Sequence, residues 1–265
     1  MTIAPAVAVA PDLRDDVRRV PPLGGFNITA IALDLRRVLR NRRTLMFTLI
    51  FPNLFFYLFG LAGRGPRGGP GTLAIVMLNM AAYGAMVATT SGGAAVSLDR
   101  NLGWSRQLRL TPLSPSAYIA MKVVVSMAVA AISLCSTYTF GAFNGVHLTP
   151  AQWVLCALSS WAASLVFAAF GLFMGFLLPS ENVMQFVGPM LAVMAMFGGI
   201  LVPLQALPQT LQSIARFTPM FGVGQVARAP LTGEITAWAI GAVIIWTVVF
   251  GVGAMTLFRR DTARV

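Results

Sequence analysis

The residues best suited to chemistry in this chain are contact residues rather than reactive ones. Asp99, Arg100, Arg106 and Arg109 gather with Trp104 in a polar segment, 99–115, that separates two charge-free stretches, 68–98 and 123–180. Trp104 and Leu108 are spaced i, i+4 and would share one helical face, while Arg106 and Arg109, spaced i, i+3, would share another. Pro112 stops that helix. A segment that leaves a bilayer, presents arginines and a tryptophan, and then re-enters is suited to docking a soluble partner.

Reactive constellations are poorer. A P-loop needs a lysine followed by Ser or Thr; the single lysine, Lys122, precedes Val123, which excludes a Walker A nucleotide site. His147 is the single histidine and lies between Gly145 and Pro150 with no carboxylate nearby, a loop residue rather than a metal ligand. No catalytic, metal or cofactor site is expected. Ser91 and His147 would be the pair for an intramembrane serine protease, but they fall at opposite ends of the membrane layer. An ion-coupled carrier keeps ionisable groups inside the membrane, and 123–180 holds no Asp, Glu, Lys or Arg. A transporter built this way takes its energy from another protein.

The elements that must position the polar segment follow from composition. With 57% hydrophobic and 10% charged residues and a mean hydropathy of +0.77, the chain departs from soluble domains, where about a quarter of residues are charged. It reads as an all-α integral membrane protein. About 20 apolar residues cross a bilayer, and the uncharged runs predict six spans at 44–62, 72–98, 117–143, 151–178, 183–202 and 235–258. Pro52 is tolerated in the first as a kink, because neighbouring helices can satisfy the freed carbonyl. Lys122, early in the third, is expected to snorkel.

Ahead of the spans, 26–43 places Ile28, Ile31, Leu35 and Val38 or Leu39 at helical spacing, with Arg36, Arg37, Arg40 and Arg43 elsewhere on the surface. That predicts an amphipathic helix lying in the membrane interface. Between spans five and six, 203–232 is interrupted by Pro203, Pro208, Pro219 and Pro230 and predicts short re-entrant external helices. Residues 1–25 have little to bury and predict a flexible tail; 1–20 lacks the apolar core of a signal peptide and carries Asp12, Asp15 and Asp16. A single transmembrane domain then spans 26–258, with a second tail at 259–265. Cys135 and Cys156 fall inside spans and read as buried free thiols.

The excess of basic residues, +11 in net charge, is one of topology rather than of nucleic-acid binding. Eight Lys or Arg precede the first span, four lie from Arg100 to Lys122 and three follow the sixth, leaving Arg64, Arg67, Arg216 and Arg228 for the opposite side. The positive-inside rule places both termini in the cytosol. No internal repeat is evident, so symmetry would come from a second subunit.

Asp99-Arg100, Gly103-Trp104, Arg106-Gln107-Leu108-Arg109 and Thr111-Pro112-Leu113-Ser114 together resemble the stretch between spans two and three in ABC transporter permeases of the type-2 class, in particular the actinobacterial drug-resistance branch that includes the daunorubicin-exporter permeases. A second similarity runs from Phe197 through Pro203, Leu207, Pro208, Leu211, Gln212 and Pro219 to Gly233. Many members carry Glu after the arginine, where Asn101 stands here. The resemblance implies a six-span permease working as a dimer, or with a homologous permease, in the bacterial plasma membrane. Two separate ATPase subunits would carry ATP and Mg, and the permease would have no nucleotide site of its own.

On that resemblance Asp99, Arg100, Gly103, Trp104, Arg106, Gln107, Leu108 and Arg109 form the cytosolic coupling helix. Asn79, Tyr83, Met86 and Thr90 of span two would border a central cavity with Phe186, Met190, Met194 and Phe197 of span five, a soft methionine and aromatic surface that adapts to varied ligands. The implied cargo is a hydrophobic or amphipathic compound: a drug, antibiotic, lipid or lipopeptide. Small-residue runs at Ser91–Ala95 and Gly198-Gly199 would suit a dimer seam. The rival reading is a membrane scaffold or regulator without transport.

Overall fold

A computed structural model describes residues 25–62, 70–103 and 114–263, and all regular structure among them is helical. The first helix, α1 (Ile28–Leu39), starts where Asn27 accepts a hydrogen bond from the Thr29 amide at 2.8 Å, a side-chain cap on an orphan N–H. Its inner face carries Ile31, Asp34, Leu35, Val38 and Leu39, all half-buried, whereas Ile28 and Leu33 stand exposed.

The first span, α2 (Arg42–Ala62), is capped by Asn41 and contains two widened π-helical stretches, Met46–Ile50 and Phe56–Ala62, on either side of Phe51–Phe55. Pro52 removes one N–H from the ladder, and side chains meet the carbonyls a turn earlier. Ser133 Oγ donates to the Thr48 carbonyl at 2.6 Å and Asn53 Nδ2 to the Leu49 carbonyl at 2.8 Å. The convergence is possible because position 84 is glycine: a Cβ there would sit 2.5 Å from Ser133 Oγ and 2.9 Å from Pro52 Cγ. Proline in a span is tolerated where a neighbouring helix supplies the donor.

Helix α3 (Pro70–Asn101) is the hub. Its 32 residues rise about 48 Å, and it packs against α2, α4 (Pro115–Phe143) and the helices that follow. In its most apolar window 67% of the residues are buried, against 22% for α2 and 17% for the last helix; α3 is central and those two are peripheral. α5 (Pro150–Ala163) opens with a reciprocal cap between Thr149 and Gln152, and α6 (Leu165–Leu177) continues it after a bend at Ser164, whose Oγ donates to the Trp161 carbonyl at 2.7 Å.

Backbones of α3 and α6 nearly touch. A Cβ on Gly93 would lie 2.5 Å from the Leu172 nitrogen, and one on Gly175 would lie 2.9 Å from the Gly93 carbonyl. Gly92 faces Ser126 of α4 and Gly198 faces Met220. Gly92, Gly93 and Gly198, from the runs expected to suit a seam between subunits, thus pack against other helices of the same chain.

Then follow α7 (Ser180–Phe197), a 3-10 turn at Leu204–Ala206, α8 (Gln209–Ala215), α9 (Pro219–Thr232) and α10 (Ala237–Ala263). Pro208 precedes α8, and Pro219 sits in the first turn of α9, where a missing N–H costs nothing. α9 ends at Gly233, whose φ of 72° is the left-handed conformation that glycine adopts freely.

Among the described residues five helices are long and apolar enough to cross a membrane: Arg42–Ala62, Gly71–Asn101, Ser116–Phe143, Pro150–Leu177 and Ala237–Arg260. The fifth expected span, 183–202, is not among them. It corresponds to α7, whose 18 residues rise about 27 Å and include Ser180, Glu181, Asn182, Gln185 and Pro189. The apolar side chains left outside on α10, among them Ile244, Ile245, Val248, Val249 and Val252, match a lipid-facing surface.

Candidate coupling end and cavity residues

Helix α3 runs past 98, the expected end of the second span, so Asp99 and Arg100 occupy its last turn rather than a separate polar segment. The Asp99 carboxylate turns inward and the residue is 6% exposed. Its Oδ1 accepts from Arg37 Nη1 at 3.2 Å; its Oδ2 accepts from Tyr118 Oη at 3.0 Å and lies 2.9 Å from Lys122 Nζ. Lys122 in turn donates to Asp34 Oδ2 at 2.7 Å. Two cations and two anions balance to zero, and they join α1, the end of α3 and the start of α4.

Sequence periodicity explains each contribution. Asp34 is on the inner face of α1 and Arg37 follows at i+3; Tyr118 and Lys122 are i, i+4 on α4, with the ammonium 5.6 Å from the tyrosine ring centroid. Lys122 therefore does not snorkel. It is 8% exposed and held between two carboxylates, because a buried ammonium is stable only when paired and hydrogen-bonded.

Arg100 serves the opposite flank. Its Nη1 donates to the carbonyls of Gly175 and Phe176, both at 3.1 Å, and the guanidinium lies over the Phe176 ring. A cation at the end of α6 meets the negative pole of that helix. Asn101 Nδ2 donates to Ser180 Oγ at 2.7 Å, and Ser97 Oγ to the Leu178 carbonyl at 3.1 Å, fixing the α6–α7 corner. Gly103, with φ of 75° and open space around it, turns the chain out of α3. Trp104, Arg106, Gln107, Leu108 and Arg109 lie outside the described residues. The chain re-enters at Ser114, whose Oγ caps α4 by accepting from the Ala117 amide at 3.3 Å.

The expected cavity residues divide. Met86 and Thr90 are fully buried in the packing of α3, and Thr90 Oγ1 faces the Phe167 carbonyl of α6 at 3.4 Å. Tyr83 and Met194 are half-buried against the core, as is Phe197 in its helix, whereas Phe186 and Met190 point outward from α7 at 58% and 40% exposure. Asn79 belongs to a polar contact that sequence reasoning missed: its Oδ1 accepts from Arg228 Nη1 of α9 at 2.6 Å, and its Nδ2 faces the Ile200 carbonyl at 3.4 Å. The available signal was a lone arginine in an otherwise uncharged stretch. His147 is exposed in the turn between α4 and α5.

Residues 69–259 match the family model described as ABC-2 family transporter protein. The chain belongs to the ABC-2 transporter family. It is also 25% identical over 208 residues, 77% of this chain and 85% of the relative, to a Bacillus subtilis (strain 168) protein named "Putative transport permease YvfS". With at least five helices among the described residues long and apolar enough to cross a membrane, this ABC-2 chain is a multi-pass membrane transport subunit rather than a catalytic enzyme. The matched region contains α3 to α9 whole and most of α10, so Asp99, Tyr118, Lys122 and the Asn79–Arg228 contact lie within it, while α1 and α2, with Asp34 and Arg37, precede it.

Proposed function

We propose that this chain is the membrane-spanning subunit of an ATP-driven exporter that moves a hydrophobic or amphipathic compound, such as a drug, antibiotic, lipid or lipopeptide, out of the cell. A separate ATPase, in two copies with ATP and Mg, docks on the end that holds Asp99. The observation that carries this reading is the four-charge cluster of Arg37, Asp99, Lys122 and Asp34 on three helices beside the 104–113 connection. Force applied to that connection passes into α3 and α4, which it joins directly and which the cluster ties together. α1 moves with them as a clamp along the interface.

In this reading the Asp99 end is cytosolic, as are both termini, from the basic asymmetry along the chain. α7 is the fifth of six crossings, completed by the turn after it, and α8 and α9 dip into the outer leaflet. A second permease copy or a homologue covers the outward face of α7, where Phe186, Met190 and Val193 repeat at i, i+4, i+7. Tyr83 and Met194 line the path between copies. The membrane is the bacterial plasma membrane.

Reconstitution with a candidate ATPase tests the proposal. Compounds of the cargo class should stimulate ATP hydrolysis in the complex, and Tyr83→Ala or Met194→Trp should change which compounds do so. A complex that assembles but shows no compound-dependent hydrolysis and no export contradicts it.

A further inference from the structure

The geometry points to Arg228 as the recognition site for an oxyanion, a phosphate or carboxylate carried on an apolar tail. Asn79, its partner, is nine residues from the Pro70 end of α3, about 14 Å by helical rise, and some 30 Å from Asp99. The guanidinium is therefore held at membrane depth in the half opposite the Asp99 cluster. Charges at such depth are costly and are kept where they meet a counter-charge.

Among the described residues that counter-charge is missing. Arg228 has one hydrogen-bond partner there, the neutral Asn79 amide oxygen. Glu234, the acidic residue nearest in sequence, is exposed beyond the α9 cap and makes no ion pair among the described residues. A guanidinium has five N–H donors in a planar fork, and one bond to Asn79 leaves four. Gly224, a turn earlier, gives the fork its room: a Cβ there would lie 3.3 Å from Nη1 and 3.4 Å from Nη2. Asn79 thus fixes the orientation of the fork while most of its donors remain for a ligand. The side chain is only partly buried, and Gln225 at i−3 offers an amide on the same helical face. A planar guanidinium fork selects carboxylate or phosphate by bidentate hydrogen bonding.

The inference deepens the export reading by giving the cargo, or a lipid beside it, an acidic headgroup. It is tested without ATP or the ATPase, so its failure leaves that reading standing. The full chain, purified in dodecyl maltoside, a detergent with no phosphate or carboxylate, is titrated with dodecyl phosphate and with dodecyltrimethylammonium, reading thermal unfolding. The phosphate should raise the midpoint and the ammonium should not. Arg228→Gln should weaken the phosphate effect at least about tenfold, as expected on losing charge-assisted bonds; Arg228→Lys should retain part of it, and the exposed Arg216→Gln all of it. Native mass spectrometry after exchange into phosphatidylglycerol then separates the sources. A bound phosphatidylglycerol present in wild type and lost in Arg228→Gln assigns the site to lipid; dodecyl phosphate binding without retained lipid assigns it to cargo. Wild-type protein that does not distinguish the two headgroups, or a dodecyl phosphate response unchanged in Arg228→Gln, overturns the inference.

Discussion

Lys122 Nζ sits between two carboxylates, 2.9 Å from Asp99 and 2.7 Å from Asp34, so removing it leaves two acids facing each other in a poorly hydrated site. Lys122→Met is expected to destabilise the protein by about 3 kcal/mol, the scale for breaking a buried pair. Arg37, 60% exposed in its side chain, contributes far less, and Arg37→Ala should cost under about 1 kcal/mol. Denaturant unfolding in detergent separates the two, and equal losses would contradict the burial-based ranking. Little of this cluster is legible in sequence. Asp34 and Lys122 are 88 positions apart, and a charge near a span end reads as solvent-facing until the third helix that covers it is known. Asn79 and Arg228, 149 apart, were hidden for the same reason.

At the scale of elements, apolar run length was enough for the first four spans and the last, since hydrocarbon thickness and helical rise leave few other solutions. Their ends were harder, because Asp99 and Arg100 continue α3 once Arg37 and Lys122 pair with the carboxylate and the α6 carbonyls accept from the guanidinium. α7 was harder still: Ser180, Glu181 and Asn182 are helical, yet they dilute the hydropathy that marks a span. Tolerance of Pro52 was legible, but its donor was not. Ser133→Ala should expose the Thr48 carbonyl to an apolar interior and cost about 1–2 kcal/mol, with Ser133→Thr close to wild type. Thermal unfolding checks this, and an unaffected Ser133→Ala would mean another donor serves that carbonyl.

For the whole molecule, the distribution of basic residues predicts an orientation with the connection between α3 and α4 and both termini in the cytosol and the 144–150 turn outside. A cysteine introduced at His147, in a Cys135→Ala, Cys156→Ala background, should react with a membrane-impermeant maleimide from outside intact cells; labelling only after permeabilisation would invert the topology. The purified chain alone should not hydrolyse ATP, because its one lysine precedes Val123 rather than Ser or Thr. Turnover in a preparation free of ATPase by mass spectrometry would contradict that.

The central claim is that another protein's ATP hydrolysis enters through the connection held by the Asp99 cluster. Trp104→Ala removes the largest apolar contact available there, a truncation that at an interface centre costs about 2 kcal/mol or more, and Arg106→Glu reverses a charge. The decisive measurement is ATPase co-purification together with ATP-dependent export in vesicles, for wild type and both variants at matched insertion. The expected result is normal insertion with loss of ATPase association or of export in each variant. Wild-type association and wild-type export in both would show that the connection transmits nothing.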